Sequence, residues 1–98
     1  MKVITVCGSM KFYKEMLEIA EKMELKGNCV LVPIASSLKK TFTADEIEIL
    51  GKMHKEKIKI ANAILVVNID GYIGQSTQQE IVFAQSLNKE IMYYTDLL

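Results

Sequence analysis

The chain contains no arginine: its twelve basic residues are all lysine, matched by twelve acidic residues. Zero net charge argues against a nucleic-acid polymer as partner. Any phosphate must be held by backbone amides, hydroxyls or Lys point charges, because no bidentate guanidinium fork is present. An AT-rich coding bias explains the missing arginine without a functional cause. Histidine occurs once, and the two cysteines, Cys7 and Cys29, show no CxxC or Cys/His spacing. A metal site is therefore not expected, and no cofactor is expected either. No apolar run approaches the roughly 20 residues of a membrane helix. The opening Met1-Lys2-Val3-Ile4-Thr5-Val6 reads as a strand and is too short and mixed for a signal peptide. The expectation is a cytoplasmic protein with reduced thiols and no membrane partner.

What is present is an ordinary folded composition, half hydrophobic and 24% charged, with enough length for one domain spanning 1–98. Lys2 to Cys7 is β-branched and apolar and ends at Gly8-Ser9, which predicts a buried strand. Phe12, Met16, Ile19, Ala20 and Met23 then fall at helical spacing, and Lys26-Gly27-Asn28 supplies the stop. A second strand runs from Cys29 to Val32 and is closed by Pro33, the only proline. Ile34 to Phe42 has no clear period and reads as a loop, with Lys39 and Lys40 solvated or reaching an anionic ligand. Thr43-Ala44-Asp45-Glu46 fits a capping box and starts a second helix with Ile47, Leu50, His54, Ile58 and Ala61 inward. Ala63 to Val67 is a third strand, Ser76 to Leu87 a third helix with Ile81, Ala84 and Leu87 inward, and Glu90 to Tyr94 a last strand. Alternating strands and helices predict an α/β fold: a flavodoxin-like three-layer sandwich with a four-stranded parallel sheet of order 2-1-3-4 and helices on both faces. That order sets the loops after the first and third strands side by side, where open α/β sheets bind ligands.

The loop from Asn68 to Gln79 is the most informative stretch. Gly71, Gly74, Ser76 and Thr77 sit where a strand hands over to a helix, so a ligand can approach the backbone and an anion can meet the helix N-terminus. Glu80 stands one turn into that helix. Thr77-Gln78-Gln79-Glu80 is itself a capping-box pattern, which offers a structural role for Glu80. The functional alternative is a carboxylate nucleophile kept ionised by the helix N-terminus. Gly8 and Ser9 either cradle a ligand or simply turn the chain. Cys7 is a weaker candidate nucleophile. His54 is either a satisfied structural residue or a proton-transfer group. Asp70 and Tyr72 lie in the loop, where Asp70-Gly71 is a common turn pair.

Taken together, these segments resemble the nucleoside 2-deoxyribosyltransferase superfamily, which includes 2′-deoxynucleoside 5′-phosphate N-hydrolases. Val6-Cys7-Gly8-Ser9-Met10 resembles the opening strand and loop. Ile60-Ala61-Asn62-Ala63-Ile64-Leu65-Val66-Val67 resembles the entry to the third strand. Ser76-Thr77-Gln78-Gln79-Glu80-Ile81 with Ala84 and Asn88-Lys89-Glu90-Ile91 resembles the "GTxxEIGxA…GKPI" signature. Lysine-decarboxylase-like phosphoribohydrolases, with PGGxGTxxE, are a looser match. The resemblance implies cleavage or exchange of the N-glycosidic bond of a nucleoside or nucleotide. Glu80 would attack the anomeric carbon, with His54 as a general acid for the departing base and Gly8, Ser9, Asp70, Tyr72, Gly74, Ser76 and Thr77 around the substrate. Two family acidic positions fall on His54 and Gly74. The family also takes a polar group from a neighbouring subunit's C-terminal region, and this sequence ends at Leu98. A non-catalytic nucleotide-binding or sensing module on the same fold is the alternative. A homodimer or higher homo-oligomer is expected, both from the family and from apolar residues near the end, Tyr93, Tyr94, Leu97 and Leu98.

Overall fold

The computed structural model describes residues 1–36 and 41–97. The elements follow the expected alternation: β1 (Val3–Gly8), α1 (Tyr13–Leu25), β2 (Cys29–Leu31), α2 (Ala44–Ile60), β3 (Ala63–Val67), α3 (Gln75–Ser86) and β4 (Glu90–Tyr93). Short 3-10 turns occupy Met10–Phe12, Ile69–Gly71 and Tyr94–Leu97. The strands are parallel throughout, in the order β2-β1-β3-β4. The pairing of Gly8 with Val67 ends β1 and β3 at the same level, so their two following loops emerge together. Lys39 and Lys40 lie outside the described residues.

Side-chain alternation along the central strands builds two cores, one on each face of the sheet. Ile4, Val6, Leu65 and Val67 meet Met16 and Ile19 of α1 on one face. Cys7, Ile64 and Val66 meet Ile58 of α2 and Ile81 and Ala84 of α3 on the other. Helices therefore cover both faces, and every residue of β3 is buried. That burial explains why β3 reads as an unbroken apolar run: a central parallel strand has no solvent side.

Two glycines have clear mechanical reasons. Gly27 closes α1 at φ 95°, a left-handed conformation that side chains disfavour. A Cβ on Gly8 would stand 3.2 Å from both the Met16 sulfur and the Val67 carbonyl oxygen. Gly8 thus lets β1, β3 and α1 close together directly beneath the loops that follow β1 and β3.

The capping box at α2 forms as expected: Glu46 N donates to Thr43 Oγ1 at 3.1 Å, and Thr43 N donates to Glu46 Oε1 at 2.9 Å. The second expected capping box does not form. Helix α3 begins two residues before Thr77, at Gln75, with Gly74 at the N-cap and no side-chain cap. Thr77 is buried, and its Oγ1 has no hydrogen-bond partner among the described residues. Two apolar assignments also change. Leu87 is 38% exposed because α3 has already ended, and Ile47 is 58% exposed because the N-terminal half of α2 rises above the sheet. Of the apolar residues near the end, Tyr93 and Tyr94 are half-buried against the two cores, Leu97 is 52% exposed, and Leu98 lies outside the described residues.

Candidate active site

The loops after β1 and β3 meet over one cavity of about 720 Å³. Gly8 and Ser9 line one side, Gly74, Ser76 and Thr77 another, and Glu80 and His54 also face it. Tyr72 stands at its wall, edge-on to Phe12 at 5.9 Å, with Lys11 Nζ 3.4 Å from its ring centre. Of the residues expected to hold substrate, Asp70 alone is outside the lining. It is exposed at φ 54°, turning the chain together with Gly71 at φ 79°. Asp tolerates that turn conformation better than most residues.

This loop is tied down from behind. Asn68 at the end of β3 is buried; its Nδ2 donates to Thr95 Oγ1 at 3.0 Å, and its Oδ1 accepts from Thr95 N at 3.2 Å. The turn Tyr94–Leu97 therefore braces the start of the loop after β3. Beyond it, Gly74 leaves the first backbone N–H groups of α3 without a side-chain cap, pointing along the helix axis away from the sheet. A twelve-residue helix begun this way favours an anion or a hydroxyl oxygen at its end.

Sequence reasoning missed the apolar side of the cavity, made by Pro33, Ile34, Phe42, Ile47 and Leu50. Its signal was the stripe Ile47, Leu50, His54, Ile58 read as core. The stripe is continuous, but the sheet ends part-way along it. Ile58 lies in the core, His54 stands at the boundary, and Leu50 and Ile47 wall the cavity.

Three side chains from three elements meet at the base of the site: His54 and Glu80 line the cavity, and Cys7 is fully buried outside its lining. Cys7 Sγ of β1 lies 3.5 Å from His54 Nε2 of α2, and that nitrogen lies 3.6 Å from Glu80 Oε2 of α3. Burial raises the Glu80 carboxyl to about 7, and a hydrogen bond from the Cys7 thiol acts in the opposite direction. Glu80 sits in the second turn of α3, beyond the reach of the helix N-terminus, so the expected full ionisation is not achieved. His54 is lowered to about 4, first by burial and then by the charge of Lys57. Its ring is therefore largely neutral at pH 7. Its Nδ1 is buried without a hydrogen-bond partner among the described residues. The Cys7 thiol is pushed well above its usual range by burial and by Glu80, so it is a poor nucleophile.

The sequence matches no family model. It matches no curated protein either. Among solved structures, the chain is similar to a 2-deoxyribosyltransferase from Bacillus psychrosaccharolyticus, a biocatalyst for the synthesis of nucleosides. The two share 22% identity and a TM-score of 0.66, over 93% of this chain and 70% of that one. The chain therefore has the α/β fold of that deoxyribosyltransferase, with the same kind of parallel sheet and flanking helices.

Proposed function

We propose that this protein cleaves or exchanges the N-glycosidic bond of a nucleoside or nucleotide, with Glu80 as the nucleophile. The observation that carries the reading is the placement of one half-buried carboxylate in the cavity where the β1 and β3 loops meet. The cavity, about 720 Å³, is in the size range of small-molecule sites. In this reading the base lies against Phe42, Ile47 and Leu50, and the sugar lies by Gly8, Ser9 and Thr77. The amides of Gly74 to Ser76 receive a hydroxyl or phosphate oxygen. The fold likeness to a deoxyribosyltransferase supports the same reading.

In the reaction, a Glu80 carboxylate oxygen bonds to the anomeric carbon as the C–N bond breaks, and the electron pair leaves with the base. Water or a second base then displaces Glu80 and restores the carboxylate. His54 acts as a positioning residue beside Glu80. The proton for the departing base comes from solvent. Tyr72 covers the cavity mouth. The reading includes a homodimer, since α2 exposes Ile47, Ile49, Met53 and Ile60 along its length.

The test is base release from a panel of deoxynucleosides and deoxynucleoside monophosphates, followed by chromatography for wild type and Glu80→Gln. Release by wild type and a loss of at least about a thousandfold in Glu80→Gln is the expected result. Equal release by both sinks the nucleophile assignment. A second reading, a nucleotide-binding module without turnover, is favoured by one observation: His54, which contacts Glu80, is held largely neutral by burial. No release by either protein, together with a melting temperature raised by one monophosphate, selects that module.

A further inference from the structure

We infer that Cys7, His54 and Glu80 form a site for one divalent cation of the zinc class. The inference rests on donor chemistry and geometry and does not depend on glycosidic cleavage. The three residues are far apart in sequence, so no spacing motif announces them, yet the β1, α2 and α3 elements bring one sulfur, one ring nitrogen and one carboxylate oxygen within 4.8 Å of one another. A tetrahedral ion with bonds of about 2.3 Å to sulfur and about 2.0 Å to nitrogen and oxygen holds sulfur roughly 3.5 Å from nitrogen or oxygen, and nitrogen roughly 3.3 Å from oxygen. The Cys7–His54 edge already matches at 3.5 Å, and the His54–Glu80 edge, at 3.6 Å, needs to close by only a few tenths of an ångström. The same His54 nitrogen faces both partners, as a ligand shared by one central ion requires.

Two further features suit a cation. Cys7 and His54 are buried while Glu80 borders the open cavity, so three protein ligands are held rigidly and a fourth position faces solvent or a small molecule. That is the arrangement of zinc sites with an exchangeable ligand. The thiol also sets the selectivity: sulfur and imidazole favour zinc and cobalt over magnesium and calcium, which take all-oxygen sites. On binding, the metal–sulfur bond replaces the S–H bond of Cys7, and that proton, with any proton on Glu80, passes to solvent.

Cobalt reports such a site directly. The intact chain, kept reduced, is titrated with Co2+ alone while near-ultraviolet and visible absorption are recorded. The expected result is a thiolate-to-cobalt charge-transfer band saturating at one ion per chain, abolished by Zn2+ and untouched by Mg2+. Cys29 is the other free thiol and is exposed, so it provides the control. Cys29→Ser should keep the band, Cys7→Ser should lose it, and Glu80→Gln should bind at least tenfold more weakly. Where Cys7→Ser does not fold, His54→Asn takes its place with the same tenfold loss expected. Absence of the band at millimolar Co2+, its loss in Cys29→Ser, or unchanged affinity in both Glu80→Gln and His54→Asn overturns the assignment.

Discussion

His54 Nε2 stands 3.6 Å from Glu80 Oε2, yet burial drives the two groups toward opposite extremes, His54 down to about 4 and Glu80 up to about 7. Near neutral pH the contact therefore joins an uncharged ring to a carboxyl divided between its acid and its anion. A fully formed ion pair would demand desolvating two charges at once, which this depth of burial opposes.

The rate should follow that carboxyl. Only the anion can attack the sugar, so base release is expected to rise with pH and level off above about 7, where Glu80 is ionised. An ordinary exposed glutamate would already be ionised at pH 6. A pH–rate profile that is flat between pH 5.5 and about 8 would count against Glu80 as the titrating nucleophile.

Stability should show the same groups with opposite signs. Glu80 is raised in the folded chain, so its contribution is complete below about 4.5 and is lost as pH rises toward about 7. His54 is lowered, so its contribution is complete above about 6.5 and is lost as pH falls toward about 4. Glu80→Gln should therefore melt higher than wild type at pH 8, by an amount on the order of 2 kcal/mol, and the two should converge near pH 4. Thermal unfolding across this range checks the sign, and a Glu80→Gln variant that is less stable at pH 8 contradicts it.

Thr77 offers a separation of stability from binding. Its buried Oγ1 has no partner among the described residues, and such a hydroxyl costs about 1 to 3 kcal/mol. Thr77→Val keeps the shape and removes the hydroxyl, so the free protein should be stabilised by about 1 kcal/mol. If Thr77 receives a sugar hydroxyl, the same change should raise KM several-fold. Denaturant unfolding and steady-state kinetics on one preparation test both halves.

The oligomer is testable without substrate. Light scattering at micromolar concentration should give a multiple of the 11.1 kDa chain mass. Met53→Glu, on the exposed side of α2 where Ile49 and Met53 are about half exposed, should shift the mass toward the monomer. A wild-type mass of one chain removes the expectation.

Sequence by itself determined the elements and their order. Strand runs such as Ala63 to Val67, the Gly27 stop and the Thr43–Glu46 capping box are local signals, and each acts within a few residues. The alternation of strand and helix also placed Gly8, Ser9, Gly74, Ser76 and Thr77 around one cavity, because a parallel sheet with β1 beside β3 leaves those loops adjacent. Tertiary structure decided the rest. Whether Thr77 caps a helix or is buried depended on where α3 starts, and Gly74 moved that start two residues ahead of Thr77. Which part of the Ile47 to Ile58 stripe is core and which is cavity wall depended on where the sheet stops beneath α2. The charge states of His54 and Glu80, and the meeting of both with Cys7, depended on how much water three separate elements exclude when they pack. Desolvation is a property of the packed neighbourhood, and no residue carries it in its own identity.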